Sequence, residues 1–307
     1  MHCWIGDECM KISDTALYAE SWNVAYRFKP EGTILNEQST EFIVIPNNFR
    51  YWAADPIVIE KDGKVVVFAE LYDYIKRRGI IGYTVLREND KFSRWKPIIK
   101  EKYHMSYPFV FQLNGETVML PETSAAKKLM LYQATLFPDK WQPLKEIAKG
   151  VEWVDTTVVS TGEQFLGITQ SLGVEREDLL LSFDSQFNIV SEKPFLKHDS
   201  SHNFLKHDSS HNRNGGRIFT HKGSTVRVCQ DCETEYGAAL LFKFYENDLM
   251  QEIKTVRLTP TDLQFSKKLP LKGMHTYTAT QNIEVIDIKT RRFNVLNFLF
   301  RILGKLR

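Results

Sequence analysis

A phrase returns along this chain about every fifty residues, and it limits the fold more than any single motif. Each copy has a short apolar segment with one polar residue, a glycine turn, and a second apolar segment that climbs to another polar residue. The copies begin at Ala54-Asp55-Pro56, Ser106-Tyr107-Pro108, Val154-Asp155-Thr156 and Gly215-Gly216-Arg217, and their second segments end at Glu70, Glu122, Gln170 and Asp231. The turn glycines are Gly63, Gly115, Gly162 and Gly223, spaced 52, 47 and 61 residues apart. A period in this range signals stacked supersecondary units or propeller blades. The long third step contains FLKHDSSHN twice in succession, over residues 195–212, and without one copy the step is again 52. A loop between blades tolerates such an insertion, because lengthening a loop adds little closure entropy and breaks no ladder.

The repeated segments are strands. Runs rich in Val, Ile, Phe and Tyr are bounded by Asp-Gly, Asn-Gly and Lys-Gly, which suit hairpins. A third segment follows each hairpin, and a fourth passes Trp95-Lys96-Pro97 or Trp141-Gln142-Pro143, whose indoles are expected to pack between neighbouring blades. Four strands per repeat is a propeller blade. Blades start near residues 54, 105, 154, 213 and 274, and the strand around Trp22-Tyr26 completes the last one from the other end of the chain. The expected fold is all-β, a five-bladed β-propeller over residues 16–290. A short extension, 1–15, precedes it. A basic tail, 291–307, follows, drawn as a short C-terminal amphipathic helix with Val295, Leu296, Leu299, Ile302, Leu303 and Leu306 on one face.

Composition narrows the function. A net charge of +2, without a basic stripe interleaved with aromatics, excludes a nucleic-acid footprint. No secretory leader is readable in Met1-His2-Cys3-Trp4-Ile5-Gly6, and the cysteines Cys3, Cys9, Cys229 and Cys232 are too few for a disulfide scaffold, so a cytoplasmic protein with free thiols is expected. The tail is too short and too charged to span a bilayer, but its basic residues suit an anionic membrane surface, peripheral to the inner face. Docking on the propeller or on a partner is the equal alternative for it.

In a propeller the innermost strands line a central funnel, so repeated positions converge there. The repeat phase nominates Asp55, Asp155 and the Arg213–Arg217 segment, with Glu70, Glu122, Gln170 and Asp231 at second-strand ends and His104 and His275 nearby, and Gln230 is expected to face the funnel with Asp231. Asp55, Glu122 and Asp155 are the catalytic candidates. Glu70, His104, Arg213, Arg217, Gln230, Asp231 and His275 are the candidates for substrate binding. Carboxyl groups with one or two arginines suit a polyhydroxylated ligand, and glycosidic cleavage needs a pair of carboxyls in opposite protonation states. No cofactor and no metal are expected. His198, His202, His207 and His211 have ligand spacing, but the second pair exists only through the duplication, and Cys229-x-x-Cys232 has no second half.

Ala54-Asp55-Pro56 followed by Ile59-Glu60-Lys61-Asp62-Gly63-Lys64 resembles the opening blade of arabinanases, β-xylosidases and fructan hydrolases. That resemblance implies a general base at Asp55 and an acid-tuning carboxylate at Asp155. The general acid of those enzymes opens blade four, where this chain has Arg213-Asn214-Gly215-Gly216-Arg217. A narrower resemblance rests on His104-Met105-Ser106-Tyr107-Pro108, Leu120-Pro121-Glu122-Thr123, Leu131-Tyr132, Phe137-Pro138-x-x-Trp141, Asp155-Thr156-Thr157, Arg227-x-x-Gln230-Asp231-Cys232 and Tyr236-Gly237. These are similar to the N-terminal propeller domain of glucosamine inositolphosphorylceramide transferases, a family that includes bacterial proteins of surface-polysaccharide pathways. It implies a propeller that binds or processes a glycan or lipid-linked sugar. Two alternatives stay open: a glycosidase whose acid is Glu122 or Glu70, and a non-catalytic module that docks a glycosyltransferase partner.

Overall fold

In the computed structural model, residues 2–4, 9–11, 18–29, 33–36, 40–162, 164–172, 177–195, 212–246, 249 and 251–293 are described. Five sheets follow one another around a ring. Blade one comprises Tyr51–Lys61, Lys64–Asp73, Arg78–Val85 and Lys96–Ile99. Blade two comprises Ser106–Leu113, Glu116–Glu122, Lys128–Leu136 and Lys140–Lys149, and blade three Trp153–Ser160, Phe165–Ser171, Glu177–Phe183 and Ile189–Pro194. Blade four comprises Phe219–His221, Ser224–Asp231, Ala239–Tyr245 and Glu252–Leu258. Blade five has Leu271–Gly273 and Tyr277–Ala279 innermost, then Ile283–Phe293, Tyr18–Phe28 and Ile43–Val44.

The inner hairpins turn as their sequences dictate. Asp62-Gly63, Asn114-Gly115 and Lys222-Gly223 all have positive φ at both residues, the type I′ geometry whose twist matches paired strands. Blade five closes the ring with both ends of the chain. Tyr18–Phe28 pairs antiparallel with Ile283–Phe293 without a register break, from Ile283 opposite Phe28 to Phe293 opposite Tyr18. The last strand therefore runs three residues past the expected start of the tail, because Arg291 and Arg292 pair with Glu20 and Ala19. The expected helix falls on residues 294–307, which lie outside the described residues, as do the histidines of the duplicated loop. Two short 3-10 turns, Ser124–Ala126 and Pro260–Asp262, are the helical elements among the described residues, and none of its helices is long and apolar enough to cross a membrane.

The core is divided among the seams between blades. A large apolar cluster joins blades one, two and three, and Trp141 packs edge-on to Phe68 across the seam between the first two, 5.5 Å between ring centres. Smaller clusters join blade five to blades one and four. Between blades three and four the buried apolar cluster shrinks to Ile168, Leu180 and Phe195. There the buried Arg227 lies over the Phe195 ring and donates from Nε to Asn214 Oδ1 at 2.9 Å, with Asp178 3.8 Å away.

Candidate functional site

One position repeats at the head of the inner strands, and it has the same backbone irregularity each time. Ala54 pairs with Glu70, Ser106 with Glu122 and Val154 with Gln170, and each pairing is followed by a register shift. The residue after each pairing is Asp55, Tyr107 or Asp155, with φ of 51°, 42° and 48°. Left-handed backbone at a non-glycine residue within a bulge bends the strand and re-aims one side chain. Here it turns two carboxylates and a phenol toward the axis. In blade four the Gln230 amide donates to the Arg213 carbonyl, so Arg213 occupies the place of Ala54 and Asn214 that of Asp55. The expected equivalence of Arg213 or Arg217 with Asp55 is thus off by one and by three residues. In blade five the His275 and Thr276 amides donate to Asp287 of the next strand.

Asp55 is buried, accepting from Thr276 Oγ1 at 3.1 Å and from the Tyr107 amide at 3.2 Å. Burial pushes its carboxyl up to about 6, with Asp155 and Asp287 adding to the shift and His275 and Arg213 opposing it. Asp155 Oδ2 accepts from Arg213 Nε and, at 2.8 Å, from Gln230 Nε2, while Oδ1 is buried with no hydrogen-bond partner. Glu122 accepts from Ser124 Oγ at 2.8 Å and from Arg213 Nη2 at 3.2 Å. Burial and then the Asp155 charge raise it to about 8, so it carries a proton at neutral pH. Arg213 bridges the two carboxyls of blades two and three.

Glu70 is buried and its Oε1 has no hydrogen-bond partner. Burial, followed by the charges of Asp55, Glu122 and Asp155, lifts it well above the usual carboxylate range. The nearest cation-forming group is His104, whose Nε2 is 3.6 Å from that oxygen. The Gly79 amide donates to His104 Nδ1 at 2.9 Å, so the neutral ring carries its proton on Nε2, facing Glu70. Burial, with Arg213 second, lowers the His104 pKa and favours that neutral form.

His275 closes the ring of residues. Its Nδ1 is 2.6 Å from Asp287 Oδ2, its Nε2 is 3.8 Å from Asp55 Oδ1, and its ring stacks on Trp22 at 3.9 Å. Burial alone would lower its pKa, but Asp287 and Asp55 hold it above the ordinary value. Asp55, His275 and Asp287 are the group among the described residues whose ligand atoms all lie within 4.8 Å of one another. The Asp287 oxygens already accept from the Asp55, His275 and Thr276 amides, so a cation there would displace the imidazole proton from Asp287. Asp287 escaped the sequence reading, although a lone carboxylate in Ile286-Asp287-Ile288 was a signal.

Two candidates stand elsewhere. Asp231 is one residue past Gln230, so its side chain faces the other way and accepts from Arg257 Nε of the outer strand at 2.6 Å. Arg217 lies deeper in the channel, where Nη2 donates to the Val110 carbonyl. The floor between it and the carboxylates is built by the Tyr107 and Thr157 hydroxyls, 2.7 Å apart and both within reach of the Gly216 carbonyl. At the mouth the exposed groups are Tyr236, 45% accessible, and the part-exposed His104 and Arg213. Arg213 lies over the Tyr236 ring, and Tyr236 sits edge-on to His275. The result is an acidic funnel with a covered floor, a cationic bridge on one wall and an aromatic lip.

Comparison with known proteins adds a family and a fold. The family described as "Glucosamine inositolphosphorylceramide transferase 1, N-terminal" matches residues 19–291. Glucosamine inositolphosphorylceramide transferase 1 of Arabidopsis thaliana is 32% identical over 231 residues, 73% of this chain and 29% of the relative. The protein of that name from Oryza sativa subsp. indica is 30% identical over 69% of this chain and 28% of its own length. The chain thus spans less than a third of these relatives. They are plant proteins and give no support to the expected bacterial setting. Among solved structures, the β-xylosidase RS223 superposes with a TM-score of 0.57 at 7% identity, covering 78% of this chain and 92% of its own. The catalytic domain of a Coprinopsis cinerea α-L-arabinofuranosidase gives 0.56 at 8% identity, covering 86% and 97%. The β-1,2-mannobiose phosphorylase of Listeria innocua gives 0.56 at 10% identity, covering 85% and 94%. At such identities the likeness is one of fold.

Proposed function

Because the chain belongs to the family of the N-terminal domain of glucosamine inositolphosphorylceramide transferase 1, we propose that its funnel binds the sugar portion of a glycan or glycolipid and serves glycosyl transfer in cell-surface glycan assembly. The observation that carries this reading is the convergence of Asp55, Asp155, Glu70, Glu122 and His275 on one funnel, where Glu70 Oε1 is buried with no hydrogen-bond partner. A buried acceptor without a donor is costly, by about 1–3 kcal/mol, and sugar hydroxyls supply donors. Acidic walls favour a neutral or amino sugar over an acidic one, and the Tyr236 ring at the lip offers a face for the sugar to lie on. Placement in the cytoplasm at the inner membrane face rests on the sequence alone and is part of the proposal.

The protonation pattern favours a second reading, hydrolysis or transfer at the same site. Glu122 and Glu70 are held neutral by their surroundings, as a general acid must be, and Asp55 stands in the place of the base. Arg213 occupies the ground where the related fold carries its acid, so that role would fall to one of the two glutamates.

Both readings meet in one experiment. Glucosamine, myo-inositol, xylose and a β-mannobiose are titrated against wild-type protein and Asp55→Asn by calorimetry, and the nitrophenyl glycosides of the sugars are assayed for release. Binding of at least one sugar is expected, weakened about tenfold or more in the variant, as the loss of one buried hydrogen bond to a charged group predicts. Absence of binding across the panel, or equal binding by the variant, removes the funnel as the sugar site. Glycoside release that Glu70→Gln or Glu122→Gln abolishes would establish the second reading.

A further inference from the structure

Below the Tyr107–Thr157 floor stands a residue without a counter-charge. Arg217 passes beneath the Tyr107 and Thr157 hydroxyls and reaches across to the inner strand of blade two. Its guanidinium donates to the Val110 carbonyl and lies 4.8 Å from the centre of the Phe109 ring. Three other arginines of the ring face carboxylates: Arg27 pairs with Glu284 at 2.7 Å, Arg213 with Glu122 and Asp155, and Arg227 with Asp178, whereas the part-buried Arg78 and Arg292 at the rim donate to the Lys102 and Asn48 carbonyls. Among the described residues none lies within ion-pair distance of Arg217.

We propose that the lower half of the channel, on the hairpin-turn side of the Tyr107–Thr157 floor, is an oxyanion site centred on Arg217 that takes a phosphate or sulfate group. A partly desolvated cation gains from an anionic partner, since a carbonyl and a ring replace only part of the solvation it has lost. Losing its proton is not a way out, because burial lowers the Arg217 pKa only to about 10 and the charge persists at neutral pH. Of the five N–H donors of a guanidinium, one is directed at Val110, which leaves an edge for the forked contact that tetrahedral oxyanions accept. Phe109 holds the plane of that fork. The side chain is only part-buried, so an anion can reach it. One level up an anion would meet the Asp55 and Asp155 charges, and the Arg213 cation there is already held by Asp155 and Glu122. Below the floor those carboxylates are screened off and the guanidinium is the charge it meets.

Thermal unfolding at constant ionic strength tests this, with potassium chloride, inorganic phosphate and glucose 1-phosphate as separate additions. Phosphate is expected to raise the wild-type midpoint by about 2–5 °C near saturation, to leave Arg217→Gln unmoved, and to act on Asp55→Asn as on wild type. Tighter binding of glucose 1-phosphate assigns the anion to a phosphorylated sugar, and equal binding to the free ion. A wild-type response no larger than with chloride overturns the site, as does an equal phosphate response in Arg217→Gln. Loss of the response in Asp55→Asn would show that the anion sits in the funnel instead. If the glutamine variant does not fold, Arg217→Lys is compared with wild type by 31P line broadening. Weaker phosphate binding then supports the forked contact and unchanged binding refutes it.

Discussion

At Glu122, burial and the Asp155 charge both disfavour ionisation, and Arg213 and Ser124 offset them only in part. The consequence for stability has a definite sign. The folded-state value, about 8, lies above the unfolded value near 4.5, so between the two the native protein binds more protons and loses stability as pH rises. Asp55 acts with the same sign between 3.8 and about 6, and Glu70 from 4.5 upward. His275, raised above 6.5, contributes stability that is complete at lower pH and lost as pH climbs through its folded value. All four groups therefore make the protein less stable in mild alkali than near pH 5. Replacing Glu122 with Gln keeps the shape and removes the titration, so the fall in melting temperature between pH 6 and 9 should be visibly shallower in the variant. Parallel curves for the two proteins would mean that Glu122 titrates normally. Asp55, Glu122 and Asp155 were legible in the sequence because each stands in repeat phase, seven or eight residues from a glycine turn. Asn214 was not, since the phase of blade four is set by the Gln230-to-Arg213 backbone hydrogen bond, which has no residue signature.

The strands themselves were readable from alternation and from their I′ turns, and so was the division into blades. Parity within a strand was harder. Gln230 and Asp231 are neighbours, and only pairing to the first strand decides which of them enters the funnel. A single glycine on the third strand of blade one reports how closely the elements meet there. A Cβ at Gly79 would lie 2.4 Å from Glu70 Oε1 and from the Met105 carbonyl, and 2.9 Å from His104 Cε1. Two of those three atoms belong to candidate site residues, and the Gly79 amide is also the donor that fixes the His104 tautomer. Gly79→Ala should therefore destabilise the protein by about 1–3 kcal/mol, the usual penalty for overpacking, and lower sugar affinity together with it. Denaturant unfolding beside calorimetric titration checks both. A variant that keeps wild-type stability would show that Glu70 and His104 can move aside at no cost, and that their close packing does not hold the site.

The whole ring stands on five seams of unequal make. Closure through blade five, which pairs Tyr18–Phe28 with Ile283–Phe293, completes that sheet and ties both ends of the chain together. Its expectation from Trp22–Tyr26 succeeded because an unpaired apolar strand at the start matched an incomplete blade at the end. The composition of the seams was not legible, since it depends on which faces meet. Blades three and four are the outlier. With three buried apolar residues between them, they are joined through Arg227, which bonds Asn214 and the Asn212 carbonyl, faces Asp178 and covers Phe195. Asn214 in turn donates to the Asp155 and Ile168 carbonyls, so one buried guanidinium reaches through a single amide to the funnel. Truncating one partner of a buried ion pair strands the other, at a cost of about 3–5 kcal/mol. Arg227→Ala should fall in that range by chemical denaturation, and it should weaken sugar binding by freeing the Asn214 side chain that holds the Asp155 backbone. Arg227→Met, which keeps the volume over Phe195, should recover part of the stability but not the affinity. If the alanine variant loses no more than an ordinary surface substitution, the seam is held by something other than this arginine, and the link from it to the funnel fails with it.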